Sequence, residues 1–158
     1  MAKRPSTPPS GPRAYWLLKS EPGTWSWDDQ MAAPDRTTEW DGVRNYQANN
    51  QMKAISVGDR AFFYHSVKAR EIVGVVEIVK PHEPDPSDTT GKGFGMVTVR
   101  AVEPMPEPVN LADIKAAAAA TEPALAEMVL LKQSRLSVQP VTPEQWRIVC
   151  RMGGLAAA

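Results

Sequence analysis

Trp40-Asp41-Gly42-Val43-Arg44-Asn45-Tyr46-Gln47 sets two aromatic rings, a guanidinium and two amides around one glycine. A purely structural turn has no use for so many different recognition groups. A pocket for a flat heterocycle and an anion does. Two other polar, loop-like segments share this character: Lys19-Ser20-Glu21-Pro22 and Arg135-Leu136-Ser137-Val138-Gln139-Pro140. Apolar runs separate the three, so the pattern predicts one site assembled from distant parts of a small domain.

Within this stretch, Asn45 is placed to cap a helix over 46–55, with Ala48, Met52 and Ile55 on one face. Before it, Ala14 to Lys19 reads as a strand, Pro22-Gly23 as a turn, and Ser26 with Asp29 as the N-cap of a short helix over 27–31. Three strands are expected beyond Gly58-Asp59, over 60–67, 71–79 and 96–102, paired antiparallel. Gly74 inside the second marks a bend or a close backbone approach. Residues 82–95 read as a Pro/Asp/Gly loop. The last third is helical: 111–119 capped by Asn110, a short helix from Pro123 toward Leu131, and a helix from Pro143 to Gly153. Thr142 and Gln145 form a capping box for the last, and Trp146, Val149 and Cys150 its buried stripe. The class is α+β, a small mixed barrel with short helices around it.

The chain has 158 residues, enough for one domain with its own core. Residues 1–13 carry four prolines and three cations and read as a disordered tail; 14–153 form the domain; 154–158 read as a frayed end. One cysteine excludes an internal disulfide framework and a cysteine-rich zinc site. His65 and His82 show no metal-ligand spacing, and no cofactor is implied. No apolar run approaches the roughly 20 residues that span a bilayer. No secretory core opens the chain, so no membrane partner and a cytoplasmic location are expected. Lysines and arginines equal aspartates and glutamates at 18 each, which argues against non-specific tracking along phosphates. A local basic patch stays open, and residues 128–143 hold Lys132 and Arg135 with no acid.

Each candidate residue has a plain alternative. Trp16 and Trp146 sit in apolar patterns and read as core. Trp25 and Trp40 sit beside turns, where they stack on bases or plug a barrel end. Arg44 stands before a helix start and either holds an anion or pairs with Asp41 or Glu39. Asn45 caps its helix or, like Gln47, reads a base edge. Lys19 and Glu21 share acid–base work or form a surface pair. Tyr64, His65 and Ser66 are consecutive and cannot all face one site, which argues against a hydrolase triad. Arg135, Ser137 and Gln139 alternate as in a groove lining or an edge strand.

Four runs in order give the chain a resemblance to a known family: Tyr15 to Pro22, Trp40 to Ala48, Phe63-Tyr64-His65-Ser66, and Arg135 to Val141. Over about residues 14–152 the sequence resembles the EVE domain family. That resemblance implies a PUA-like mixed β pseudo-barrel, the fold of PUA and ASCH domains and of the YTH and SRA readers of methylated bases. It implies a non-catalytic nucleic-acid-binding module for DNA or RNA, whose aromatic pocket takes a modified or flipped base such as methylated cytosine. Trp25 and Trp40 would stack on that base, Ser20 and Asn45 would meet its edge, and Lys19, Arg44 and Arg135 would supply cations. Tyr64, His65, Ser66 and Ser137 complete the candidate set. Asn49 stands where relatives usually carry arginine. The alternative implied by ASCH-like domains is a small nucleoside-directed amidohydrolase using Lys19 and Glu21. A third reading is a protein adapter acting through residues 1–13.

Overall fold

The structure, a computed structural model, describes residues 13–155. The tail predicted over 1–13 lies outside the described residues except for Arg13, as do the last three residues of the predicted frayed end. Leu155 is tied down, its N–H donating to Cys150 O at 2.8 Å.

Six strands form one sheet in the order β2-β5-β4-β3-β1-β6. They are β1 Tyr15–Ser20, β2 Thr37–Trp40, β3 Arg60–His65, β4 Glu71–Pro84, β5 Gly95–Asn110 and β6 Val138–Val141. The expected antiparallel pairing holds for β3 with β4 and β4 with β5. β1 runs parallel to β3 and antiparallel to β6. β2 was not foreseen; it pairs antiparallel with β5. Strand β3 ends at His65, so Ser66 and Val67 belong to the turn after it rather than to the predicted strand. β4 and β5 run well past the predicted 71–79 and 96–102. Their ladder shifts register at four places, including Ile72/Gly74 and Lys80/Glu83. Each shift bends and twists the pair, and that lets prolines such as Pro104 sit inside a strand.

The helices are α1 Trp27–Ala32, α2 Tyr46–Lys53, α3 Leu111–Ala120, α4 Val129–Lys132 and α5 Pro143–Met152. Thr142 with Gln145 closes the predicted capping box, the predicted N-cap Ser26 closes a second one with Asp29, and Asn45 and Asn110 cap α2 and α3. The helix expected from Pro123 breaks in two. Met128, at φ −60° and ψ 136°, separates a 3₁₀ turn from α4.

Two apolar clusters lie on opposite faces of the sheet. One gathers Trp16, Leu18, Phe63, Val76, Val97 and Val138 with Met52 of α2. The other sets Leu17, Phe62, Tyr64 and Ile72 against Ile114 of α3 and Trp146 of α5. Trp146 stacks on Phe62 with centroids 3.8 Å apart and on Tyr15 at 4.5 Å, which makes it core as predicted. Trp16 donates from Nε1 to the buried Asp59 Oδ2 at 2.9 Å, clasping the start of β1 to the start of β3. Gly74 is the close approach expected of it: the Trp27 ring lies where a Cβ would stand.

Candidate functional site

Parallel pairing brings the C-terminal ends of β1 and β3 side by side. Ser66 N–H donates to Ser20 O at 2.9 Å. Lys19 N–H donates to Ser137 O at 2.9 Å, bringing in the segment that leads into β6. β2 and β6 are opposite edges of the sheet, yet Trp40 of β2 meets Arg135 and Ser137 at one cavity of about 760 Å³. The sheet is therefore curled on itself, and the cavity is the open end of the curl. Lys19, Ser20, Trp25, Trp40, Ser66, Arg135 and Ser137 all line it, so seven of the eleven predicted site residues converge.

The aromatic walls are held in place. Ser20 Oγ donates to Trp25 O. Trp25 Nε1 donates to Gln30 Oε1 at 2.8 Å, and Gln30 Nε2 donates to Arg36 O at 2.7 Å. Gln30 is fully buried and was not foreseen as a site residue. The signal was its place on the inward face of α1, four residues after Ser26. Trp40 is only 7 % exposed and packs edge-on against Phe63 at 5.3 Å. It belongs to the core as much as to the cavity wall, so plug and lining are the same residue.

Charge in the cavity is mixed. Lys19 and Arg135 face Glu21, Glu39 and Asp41. Lys19 Nζ donates to Ser134 O at 2.6 Å and lies 5.7 Å from the Tyr64 ring centroid. Burial pushes its pKa below the usual lysine range. The ion pairs among the described residues do not include one between Lys19 and Glu21. A second recess of about 330 Å³ adjoins the cavity and shares Ser134 and Arg135 with it. Asn45, Gln47, Lys132 and Gln133 complete its polar lining, with no carboxylate.

Four predicted residues stand elsewhere. Arg44 does not line the cavity, and its partner is neither Asp41 nor Glu39. Its Nη1 donates to Asp85 Oδ2 at 3.0 Å and its Nη2 to Ser87 Oγ at 3.0 Å. Asp85 has no exposed side-chain surface and also accepts from Gly42 N–H at 2.9 Å. The guanidinium is spent on fixing the 42–44 turn to the 85–88 loop. Asn45 is chiefly the helix cap, its Oδ1 accepting from Ala48 N–H at 2.9 Å, and it faces the smaller recess. Tyr64 is buried in the cluster that packs against α3 and α5. His65 Nε2 accepts from Trp27 N–H at 3.0 Å, so it anchors α1. As expected of three consecutive residues, Tyr64, His65 and Ser66 do not share a site; only Ser66 faces the cavity. Asn49 holds the 93–95 segment, accepting from Gly95 N–H at 3.0 Å and donating to Gly93 O at 3.1 Å. Gln139 is buried rather than displayed on an edge strand, its amide donating to Leu136 O at 2.8 Å.

A curled six-stranded sheet with short helices and a lined opening at one end is a PUA-like architecture. Residues 14–152 match the EVE domain family, and the chain belongs to that family. It is 38 % identical to human thymocyte nuclear protein 1 over 86 % of this chain and 72 % of that protein. A crystal structure of a protein from Agrobacterium tumefaciens is 48 % identical and superposes with a TM-score of 0.85, covering 92 % of this chain and 96 % of that one. The crystal structure of the human THYN1 protein in complex with 5-methylcytosine-containing DNA is 37 % identical with a TM-score of 0.81, covering 89 % and 98 %. An ASCH protein from Zymomonas mobilis, 8 % identical at a TM-score of 0.53, shares the fold alone.

Proposed function

We propose that this chain is a non-catalytic module that binds DNA and takes one modified or unstacked base, methylated cytosine foremost, into the cavity between β1, β2 and the lead-in to β6. The observation that carries this is the convergence of Trp25, Trp40, Ser20, Ser137 and Arg135 on one cavity of about 760 Å³, within the size range of small-ligand sites. Its likeness to a protein solved with 5-methylcytosine-containing DNA supports the choice of ligand. The division of charge supports it too. Glu21, Glu39 and Asp41 suit a base that offers an exocyclic amino donor, as cytosine N4 does, and repel phosphate. The recess with Arg135 and with Lys132, whose ammonium shares an exposed, solvent-screened pair with Glu127 at 2.7 Å, suits the backbone of the same strand.

Fluorescence anisotropy with matched methylated and unmethylated oligonucleotides, as DNA and as RNA, tests this reading across a salt series. Affinity for the methylated DNA should exceed that for the unmethylated strand and, for single strands, fall by about 0.7 log unit per phosphate contacted for each tenfold rise in salt. Trp40→Ala and Trp25→Ala should each weaken binding by roughly tenfold or more, since one stacked base is worth about 1–3 kcal/mol. Equal affinity for both strands would remove the modification from the proposal. No binding at low salt would remove the nucleic acid.

The amidohydrolase reading keeps one favourable observation, the half-buried Lys19 with its lowered pKa in the same cavity as Glu21. Turnover of an acylated nucleoside that disappears in Lys19→Ala would establish it.

A further inference from the structure

Val67 is the most exposed large apolar residue among the described ones, at 59 %. It stands on the rim of the cavity, in the turn between β3 and β4. Its φ is +73°, a region that a β-branched side chain enters only against steric resistance. Glycine or asparagine would occupy this position at lower cost, and a polar residue would suit water better. An exposed apolar group held in a strained conformation at the mouth of a binding cavity points to a task for that side chain. Lys68 and Arg70 follow it in the same turn, both exposed, and neither enters an ion pair among the described residues.

We propose that Val67 is a wedge: it enters the base stack of a duplex where one base has left for the cavity, while Lys68 and Arg70 of the same turn meet the adjoining phosphates. This rests on the base-binding reading and adds that the protein extrudes the base from paired DNA. Removing a base from a stack exposes the apolar faces of its neighbours. A compact aliphatic side chain seated between them restores part of that contact, the means by which minor-groove proteins hold kinked steps open. Val67 is close to the vacated position by construction, because it lines the cavity that the extruded base would occupy. Two cations in the same turn would hold the strand's backbone beside the gap. A single-stranded target needs no wedge, since its bases are already unstacked.

The test compares wild type, Val67→Gly and Val67→Ala on a methylated duplex and on the methylated single strand, by anisotropy. A 2-aminopurine beside the methylated base reports unstacking. Thermal unfolding of Val67→Gly should show a Tm no lower than that of wild type, since glycine accepts the positive φ. With folding intact, duplex affinity in Val67→Gly should fall about tenfold, at least five times more than single-strand affinity, and the 2-aminopurine signal should diminish. Val67→Ala should fall between. Equal losses on duplex and single strand, or no loss on duplex, would overturn the wedge and leave the base reading standing. A wild-type protein that binds the methylated single strand but not the duplex would overturn it as well. If wild type binds neither, the base reading fails and the wedge falls with it.

Discussion

Asp85→Asn isolates the contact that fixes the 42–44 turn, which links cavity-lining Asp41 to recess-lining Asn45, to the 85–88 loop. The Asp85 carboxylate accepts four hydrogen bonds. Oδ2 takes Gly42 N–H at 2.9 Å and Arg44 Nη1 at 3.0 Å. Oδ1 takes Ser87 N–H at 2.8 Å and Ser87 Oγ–H at 2.6 Å. Asparagine keeps the shape but turns one oxygen into an amide donor that faces two donors. Hydrogen bonds to a charged group are worth about 1.5–3 kcal/mol each. Arg44 retains 34 % of its side-chain exposure, so water recovers part of the loss. The net destabilisation should be about 2–3 kcal/mol, or a fall in Tm of roughly 4–12 °C at this chain length. The pH dependence gives a second reading. Hydrogen bonds from Ser87, Gly42 and Arg44 outweigh burial and hold the Asp85 pKa well below the usual carboxylate range. A folded pKa below the unfolded one contributes stability that is present above about pH 3.9 and lost as the pH falls toward the folded value. Urea unfolding from pH 7 to pH 2 should show this acid-side loss in wild type and a smaller one in Asp85→Asn. A variant within 0.5 kcal/mol of wild type, by order of magnitude the noise of a surface substitution, would refute the reasoning, as would an unchanged acid profile.

Three further outcomes follow from single contacts. Gly74→Ala should cost about 1–3 kcal/mol by denaturant titration, because its Cβ overlaps the Trp27 ring, itself wedged edge-on against Phe63. His65 must be neutral to accept from Trp27 N–H, and burial lowers its pKa against the opposing pull of Glu71 and Asp28. Its share of stability should be complete above about pH 6.5 and decline as the pH falls through the lower folded value, with an NMR titration midpoint below that of a free histidine. Asp59→Ala should cost about 2–4 kcal/mol, since it strands the Trp16 indole N–H and the Ser56 and Ala14 amides at the starts of β1 and β3.

What the sequence disclosed depended on distance along the chain. Both capping boxes close within three residues, so Ser26 with Asp29 and Thr142 with Gln145 were readable directly. The long antiparallel strands announced themselves by alternation and by Val and Ile runs. β2 escaped because it has four residues, and its partner β5 begins more than fifty positions later. β5 was cut short at Val102 because Pro104, Pro106 and Pro108 look like strand breakers, and only the register shifts explain how they fit. Within the site, Lys19 and Ser20 were legible as the polar end of an apolar run, and Ser137 by its alternation with Arg135 and Gln139. The carboxylate that claims Arg44 was not: Asp85 lies 41 residues away in a segment that reads as an ordinary loop. Gln30 and Val67 were missed for a related reason. Helical spacing from Ser26 marks Gln30 as inward-facing but does not show what it braces, and the exposed apolar tip is defined by surroundings that no local pattern reveals.

A crystal structure of the complete chain with an oligonucleotide carrying one 5-methylcytosine tests the central claim most directly. The expected density is a single pyrimidine ring between Trp25 and Trp40, with the strand leaving past Arg135 toward Lys132. Nucleic acid bound on any other face, with the cavity holding only water, would contradict it.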